Sequence, residues 1–427
     1  MIKTKKITEY NDNKNLTSYK HSKTFLTPKY IYIPLHDNID EYELLVNLYD
    51  NVKIGQKIAV SKKFNILSHS SVSGVVTSIN KKMWINTGKL VECIEIENDY
   101  KEDSLIKYKN YQITKETILS CIFDSGIVGM GGAGFPTYIK YNNDHINTLI
   151  INACECEPFI TCDNRLIMEQ SLKLINGIHY ALIALNAKEA IIAIKNDKVE
   201  AIETLEQLID EKIKIRKIKN SYPVGWERYL VNKIIKKKYN KIPLEVNTVV
   251  SNVSTLIAID EAVKYNKPLI ERMVTITGYC LNEPINVYCK IGTCVHEVLE
   301  YIGGIKHKYH KKHLISGGAM TGKAIVSDEL VVTKNMNSVI INPYLKKQNN
   351  INVCIGCGKC SLVCPSKLTP TLIMKNYSLK NKEELNQLYA ASCISCGLCS
   401  YVCPSRIDLT FLTTKAKEYV IRGNNGK

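Results

Sequence analysis

From about residue 26 to residue 100 the chain alternates short apolar runs with turn residues: YIYIPL, KIGQKIAV, SGVVTSI and LVECIEIE. Runs of this length, rich in β-branched and aromatic residues and bounded by Gly, Ser and Asn, predict short strands joined by turns. From 110 to 270 the period changes. The strand-like segments INTLIINA (146–153) and EAIIAIK (189–195) alternate with helix-period segments, NRLIMEQSLKLINGIHYALIAL (164–185) and VEAIETLEQLIDEKIK (199–214). That alternation predicts an α/β domain. Residues 271–345 return to β-type runs (MVTITGYC, HLISGGAM, SVIINP), and 350–427 form a cysteine-rich segment ending in the helical pattern LTFLTTKAKEYVIRG. Residues 1–25 are polar and are expected to be poorly ordered.

The 427 residues suffice for two or three domains with their own cores. No stretch approaches the roughly 18–20 uninterrupted apolar residues that span a bilayer. The richest, Ala181 to Ile194, is broken by Asn186, Lys188 and Glu189. The basic N-terminus (MIKTKKITEYNDNKN) lacks the apolar core of a signal peptide. A cytoplasmic location is expected, compatible with a peripheral place on the cytoplasmic face of a membrane complex. The net charge of +16 suits phosphates, an acidic electron carrier or anionic headgroups alike. The basic excess is spread along the chain without a nucleic-acid motif, so no nucleic-acid partner is expected.

Charge leaves the chemistry open; the cysteines do not. Sixteen are present, and a cytosolic setting argues against disulfides. Cys93, Cys121, Cys154, Cys156, Cys162, Cys280, Cys289 and Cys294 follow no metal-ligand spacing and are expected to act as small buried hydrophobes. The other eight repeat one template. Cys354-Ile-Gly-Cys357-Gly-Lys-Cys360-Ser-Leu-Val-Cys364-Pro365 is followed by Cys393-Ile-Ser-Cys396-Gly-Leu-Cys399-Ser-Tyr-Val-Cys403-Pro404. Each is C-x2-C-x2-C-x3-C-P, the bacterial ferredoxin run whose fourth cysteine ligates the other cluster. Two-residue spacers wrap three thiolates round one cubane, and the three-residue step turns the fourth away. Cys354, Cys357, Cys360 and Cys403 are therefore expected to hold one [4Fe–4S] cluster, and Cys393, Cys396, Cys399 and Cys364 a second. Zinc also takes four cysteines, but zinc sites rarely repeat this template twice.

A second motif lies upstream. Gly126-Ile-Val-Gly129-Met-Gly131-Gly132-Ala-Gly134-Phe135-Pro136-Thr137 packs five glycines into nine residues, which lets backbone approach a phosphate or a planar ring. After an apolar run come Asn152-Ala-Cys154-Glu155-Cys156-Glu157-Pro158 and Thr161-Cys-Asp163-Asn-Arg165, where Asp163 or Thr161 could cap a helix and Asp163 could pair with Arg165.

Here the sequence resembles a family. GxGGAGFPTxxK, N-A-x-E-x-E-P and a later N-V-x-T-L are similar to the FMN- and NADH-binding constellation of the NADH-oxidising flavoprotein subunit of respiratory complex I. Joined to the double ferredoxin run, they resemble the RnfC family, the C subunits of the Rnf electron-transport complex, over about residues 28–415. Residues 26–100 in turn resemble a lipoyl-type barrel sandwich, with only Lys62 and Lys63 at the hairpin tip and no attachment signature, so the module is expected to be structural. The fold class this implies is α/β multidomain: a lipoyl-like β-sandwich (26–100), an FMN/NADH-binding α/β domain (110–270), a β-grasp-like, soluble-ligand-binding unit (271–345) and a ferredoxin-like α-helical double-cluster domain (350–427), after a polar N-terminal segment (1–25).

By position, the resemblance implies that Gly129, Gly131, Gly132, Gly134 and Lys140 line the flavin and phosphate pocket. Asn152 would contact the isoalloxazine edge, Glu155 and Glu157 would shape the nicotinamide pocket, and Asn252 and Thr255 would hold the FMN phosphate. Tyr222, Gly225 and Glu227 would supply a further flavin contact, with Val224 and Trp226 standing where the family usually has glutamine and a small residue. The activity implied is NADH oxidation through FMN and two clusters, which needs no acid–base residue. The partners implied are Rnf membrane subunits, with ferredoxin in the wider context. Two other fates of the same parts are a soluble paralogue feeding an amino-acid reductase such as proline reductase, and a wire or assembly subunit without nucleotide binding.

Overall fold

The alternating pattern of residues 26–100 becomes two antiparallel sheets. In the computed structural model, which describes residues 11–108, 110, 112–239, 242–344 and 353–422, a four-stranded sheet runs in the order Tyr30–Pro34, Leu90–Asn98, Gly74–Trp84, Asn51–Val52. A three-stranded sheet joins Tyr42–Leu44, Lys57–Ser61 and Leu67–His69. Ile31, Ile33, Ile58, Val76, Ile94 and Ile96 point inward, as strict alternation requires.

The chain divides into two units, one of Asp12–Asn220 with Val224–Tyr344, the other containing Ser221–Pro223 and the C-terminal segment from Leu345. At the centre of the first lies a parallel sheet in the order Ile213–Ile218, Glu189–Lys195, Thr148–Ala153, Thr248–Asn252. Its inner strands are continuous Ile, Leu and Ala because helices cover both faces. The chain lays Thr148–Ala153 first, builds outward on one side, then returns to the other side with Thr248–Asn252. That reversal is a topological switch point, where open α/β sheets bind ligands beyond their carboxyl ends.

Three expectations change here. The helix pattern over 164–185 is two helices, Cys162–Glu169 and Ser171–Leu185, broken at Gln170, where the backbone leaves helical geometry (φ −135°). Glu169 closes the first helix, paired one turn back with Arg165 (2.6 Å) and accepting from the amide of Ser22 (2.8 Å). The pattern over 199–214 is helical only for Val199–Glu206, because Ile213 starts the edge strand paired with Ala190. The described part of the polar N-terminal segment is ordered: Thr17 is buried on Thr161, and Lys23–Phe25 forms an edge strand beside Ile285–Lys290. Its polar residues find partners far along the chain, which local composition does not reveal.

That edge strand belongs to a six-stranded mixed sheet in the order Lys23–Phe25, Ile285–Lys290, Glu271–Thr277, Ser338–Pro343, Lys312–Ser316, Lys323–Ile325, carrying the helix Val295–Tyr301.

The helices Ser171–Leu185 and Val253–Tyr265 pack directly on each other. A Cβ at Gly177 would lie 2.0 Å from the carbonyl oxygen of Leu256. Gly177→Ala should therefore force the helices apart and lower the free energy of unfolding by about 3 kcal/mol or more, read by chemical denaturation. An unchanged midpoint would refute this close approach.

In the C-terminal unit each cysteine run is followed, after the same spacing, by a helix: Pro370–Ser378 after Cys364 and Leu409–Arg422 after Cys403. The two helices pack together over Leu368, Ile373, Leu385, Ala416 and Val420. Among the described residues no helix is long and apolar enough to cross a membrane.

Candidate flavin and iron–sulfur sites

At the switch point Asn152 and Asn252 are direct partners across adjacent parallel strands, each near its strand's carboxyl end. Beyond them opens a cavity of about 500 Å³, within the usual range for small-molecule sites. It brings together Gly129, Gly131, Gly132, Gly134, Lys140, Asn152, Gly225, Glu227, Asn252 and Thr255, ten of the residues singled out in the sequence.

The glycine loop is pinned from several sides. The Met130 amide donates to Thr255 Oγ1 (3.0 Å), the Gly129 amide to the Phe135 carbonyl (2.8 Å), and Asn335 Nδ2 to the Gly132 carbonyl (3.0 Å). Gly131 packs so closely on Asn252 that an added Cβ would lie 2.8 to 2.9 Å from its side chain, whereas at Gly132 an added Cβ meets nothing within 4 Å. The loop thus presents bare backbone to the cavity.

Asn252 caps the helix Val253–Tyr265: its Oδ1 accepts from the Ser254 amide (2.9 Å), which leaves the other first-turn N–H groups at the cavity end. Its Nδ2 donates to Asp163 Oδ2 (2.6 Å), and Ser254 Oγ donates to Asp163 Oδ1 (3.1 Å). Burial, with the nearby Glu155 charge adding to it, pushes the Asp163 carboxyl up to about 7. On the opposite wall Lys140 Nζ lies 3.7 Å from Glu227 Oε2. Burial lowers the Lys140 pKa, and Glu227 works against that shift. Asn152 Nδ2 donates to the Gly225 carbonyl (2.8 Å), tying the Gly225–Glu227 segment to the sheet.

This lining suits a flavin mononucleotide. Glycine backbone offers a flat approach, a helix N-terminus and Lys140 offer positive potential to a phosphate, and Asn152 offers amide groups to a heteroaromatic edge.

Three other residues lie elsewhere. Glu155 turns inward: its Oε1 accepts from the Asp163 amide (2.7 Å) and its Oε2 pairs with Lys14 (3.6 Å), whose ammonium also donates to the Ile160 carbonyl. Glu155 therefore caps the helix Cys162–Glu169, in place of Thr161 or Asp163, and Arg165 pairs with Glu169 instead of Asp163. Glu157 accepts from the Met320 amide (3.0 Å) and the Thr321 hydroxyl (2.6 Å). Tyr222 is buried, groups with the C-terminal unit and does not line the cavity. Ala133, Phe135, Thr137, Trp226, Val250 and Ser251 complete the lining. Ala133, Phe135 and Thr137 lie inside the glycine motif and Trp226 stood out as a departure from the family pattern, whereas Val250 and Ser251 carried no signal in the sequence.

In the C-terminal unit Cys364, Cys393, Cys396 and Cys399 line one small pocket with Thr410 and Thr413. These four are the set assigned to one cluster by the ferredoxin spacing, with Cys364 arriving from the other run. Backbone amides already face two of the sulfurs: Leu368 to Cys364 Sγ (3.3 Å) and Ser395 to Cys393 Sγ (3.4 Å). Of the other set, Cys360 and Cys403 share an apolar cluster, while Cys354 and Cys357 are exposed. Among the described residues no three His, Cys, Asp or Glu converge on a single-ion site. A cubane takes its four thiolates on separate irons, so it does not require that convergence.

Of the remaining eight thiols all but Cys156 are buried. Burial pushes Cys93, Cys154 and Cys289 up to about 12, which keeps them protonated and unreactive.

Fold and sites together define a multidomain flavin and iron–sulfur protein. Residues 5–101 match the RnfC barrel sandwich hybrid domain, 122–261 the Nuo51 FMN-binding domain and 353–407 the 4Fe-4S dicluster domain. The chain is 33% identical over 400 residues to the C subunit of the proton-translocating ferredoxin:NAD(+) oxidoreductase complex of Clostridium ljungdahlii, covering 88% of this chain and 86% of that one. It is 36% identical over 358 residues to the C subunit of the ion-translocating oxidoreductase complex of Vibrio cholerae, covering 80% of this chain but only 46% of that longer protein. The chain belongs to the RnfC family, the C subunits of the Rnf-type ion-translocating oxidoreductase complexes. In fold it is similar to a chain in the crystal structure of air-oxidised NAD+-reducing [NiFe]-hydrogenase, with a TM-score of 0.50 at 17% identity, over 72% of this chain and 63% of that one.

Proposed function

We propose that this chain takes electrons from NADH at an FMN held in the α/β cavity and passes them, through two [4Fe–4S] clusters, to other subunits of a membrane-bound ion-translocating complex on its cytoplasmic face. The observation that carries this reading is the convergence of the glycine loop, Asn152 and Asn252 on one cavity at the switch point of the parallel sheet. Bound FMN supplies the exchange between two-electron hydride chemistry and single-electron transfer.

The chain's own part is binding and orientation. The loop Gly129–Gly134 gives close backbone approach, the Val253–Tyr265 N-terminus and Lys140 attract the phosphate, and Asn152 fixes the ring edge. Trp226 and Phe135 bound the cavity with aromatic surface. Glu155 supports this site from outside the cavity by accepting from the amide of Asp163, whose carboxyl in turn holds Asn252. The clostridial relative is named for ferredoxin and NAD(+), which supports the choice of NADH and of ferredoxin in the wider circuit.

The test is anaerobic purification with iron and flavin quantified, followed by NADH addition. About eight irons and one FMN per chain are expected, with bleaching of flavin absorbance on adding NADH. Zinc in place of iron, or flavin that NADH leaves unbleached, would overturn the reading. Co-purification with integral membrane subunits supports the Rnf assignment, and a soluble reductase in their place would overturn it.

A further inference from the structure

The two cysteine runs are near copies, but the helices that follow them are not. Aligning the runs at their last cysteines, Cys364 with Cys403, sets Thr371 with Thr410, Met374 with Thr413 and Ser378 with Lys417. Thr410, Thr413 and Lys417 fall on one face of the helix Leu409–Arg422, at intervals of three and four residues. That face meets the cysteines of the pocket described above.

Thr410 Oγ1 lies 3.4 Å from Cys399 Sγ and accepts from the Ser400 hydroxyl (2.8 Å), which leaves its own proton for the sulfur. Thr413, fully buried, has Oγ1 3.6 Å from Cys393 Sγ. With Cys393 as a free thiol, that hydroxyl accepts from sulfur and donates to the Leu409 carbonyl (2.9 Å). A ligating thiolate carries no proton, so the polarity of the contact reverses: the hydroxyl gives up the Leu409 carbonyl and turns its one proton to the sulfur. Lys417 Nζ donates to the carbonyl of the same cysteine (2.7 Å), placing a positive charge beside it.

We propose that Thr413 and Lys417, beside Thr410 on the same helix face, raise the reduction potential of the cluster held by Cys364, Cys393, Cys396 and Cys399 above that of its neighbour. The inference rests on the two-cluster reading above. Reduction adds negative charge to a cluster, so hydroxyl donors to its sulfurs and a nearby cation stabilise the reduced form. The helix Pro370–Ser378 carries neither the second hydroxyl nor the cation at the matching positions. Met374 packs into the apolar cluster of Cys360, Ile407 and Leu409, and Ser378 Oγ donates back to the Met374 carbonyl of its own helix (3.1 Å). The amide donors to Cys364 and Cys393 are backbone groups of the template, Thr371 matches Thr410, and the Ser361 hydroxyl serves Cys360 of the other set, so the asymmetry lies in Thr413 and Lys417. Thr413 and Lys417 are thus positioning residues that bias electron flow within the domain.

The test is an EPR-monitored redox titration of the full chain carrying both clusters, comparing wild type with Thr413→Val, Thr410→Val and Lys417→Gln. In each variant one midpoint potential should fall while the other stays, and the same signal should move in all three. Thr413→Ser, which keeps the hydroxyl, should restore the wild-type value. Unchanged potentials, or both potentials falling together, would overturn the proposal. Lys417 is only half-buried, so Lys417→Gln keeps the test decisive if the threonine variants lose iron. A wild-type chain without about eight irons would instead refute the underlying cluster assignment.

Discussion

Cys396→Ala is expected to leave about four irons per chain in place of about eight, with flavin content unchanged. Cys396 lines its pocket with Cys364, Cys393 and Cys399, so on the proposed assignment its loss would remove one of four ligands from one cubane. The second set, Cys354, Cys357, Cys360 and Cys403, keeps its ligands. The crossing of the fourth cysteine makes the prediction more specific. Cys364→Ala should leave the same residual EPR signal as Cys396→Ala, although Cys364 belongs to the first run in sequence. Cys403→Ala should leave the other signal. Iron and sulfide assays with low-temperature EPR read the result. If Cys364→Ala instead leaves the signal that Cys396→Ala removes, each run holds its own cluster. Cys93→Ala, which removes a fully buried thiol outside both runs, should cost no iron.

Gly131→Ala should weaken FMN binding at least about tenfold and leave iron content unchanged. The added methyl would sit 2.8 to 2.9 Å from Asn252, with Cβ itself among the atoms met, so rotating the amide away cannot relieve the clash. Asn252 is held by the Ser254 amide and by Asp163, and moving it breaks the helix cap as well. A lost cap costs about 1 kcal/mol, and each broken hydrogen bond a similar amount. Together these exceed the roughly 1.4 kcal/mol that corresponds to tenfold in affinity. Gly132→Ala is the informative companion. Its methyl meets no protein atom within 4 Å, so the fold should tolerate it, and any loss of flavin would place the ligand against that face of the loop. Flavin fluorescence titration of the apoprotein measures both. Wild-type affinity in Gly131→Ala would exclude the loop from the flavin site.

Much of this protein is legible locally. The two C-x2-C-x2-C-x3-C-P runs, the glycine loop, the strands at 148–153 and 189–195 and the alternation of 26–100 are each fixed by neighbouring residues, through spacing or period. What escaped has distant causes. Lys14 looks like one more basic residue in a polar leader, yet it is buried against Glu155 and the Ile160 carbonyl. The pattern of 164–185 is interrupted at Gln170, next to Glu169, which accepts from the amide of Ser22, a residue that only the fold brings there. Glu155 and Glu157 share a motif but face different partners, one the Asp163 amide and Lys14, the other the Met320–Thr321 loop.

The sequence by itself determined the cofactor classes, because ligand spacing and glycine density are properties of a few consecutive residues. It also determined the order of the modules. Only the tertiary structure decided which residues meet. Asn152 and Asn252 become direct partners through the register of two parallel strands, and the switch in strand order opens a cavity beyond them. Cys364 reaches the second cysteine run because the paired helices bring the two halves of the repeat together. The difference between the two halves of the cysteine repeat was likewise decided there. Thr413 and Met374 occupy one register position, and only packing shows a hydroxyl against sulfur in one half and a thioether among apolar side chains in the other.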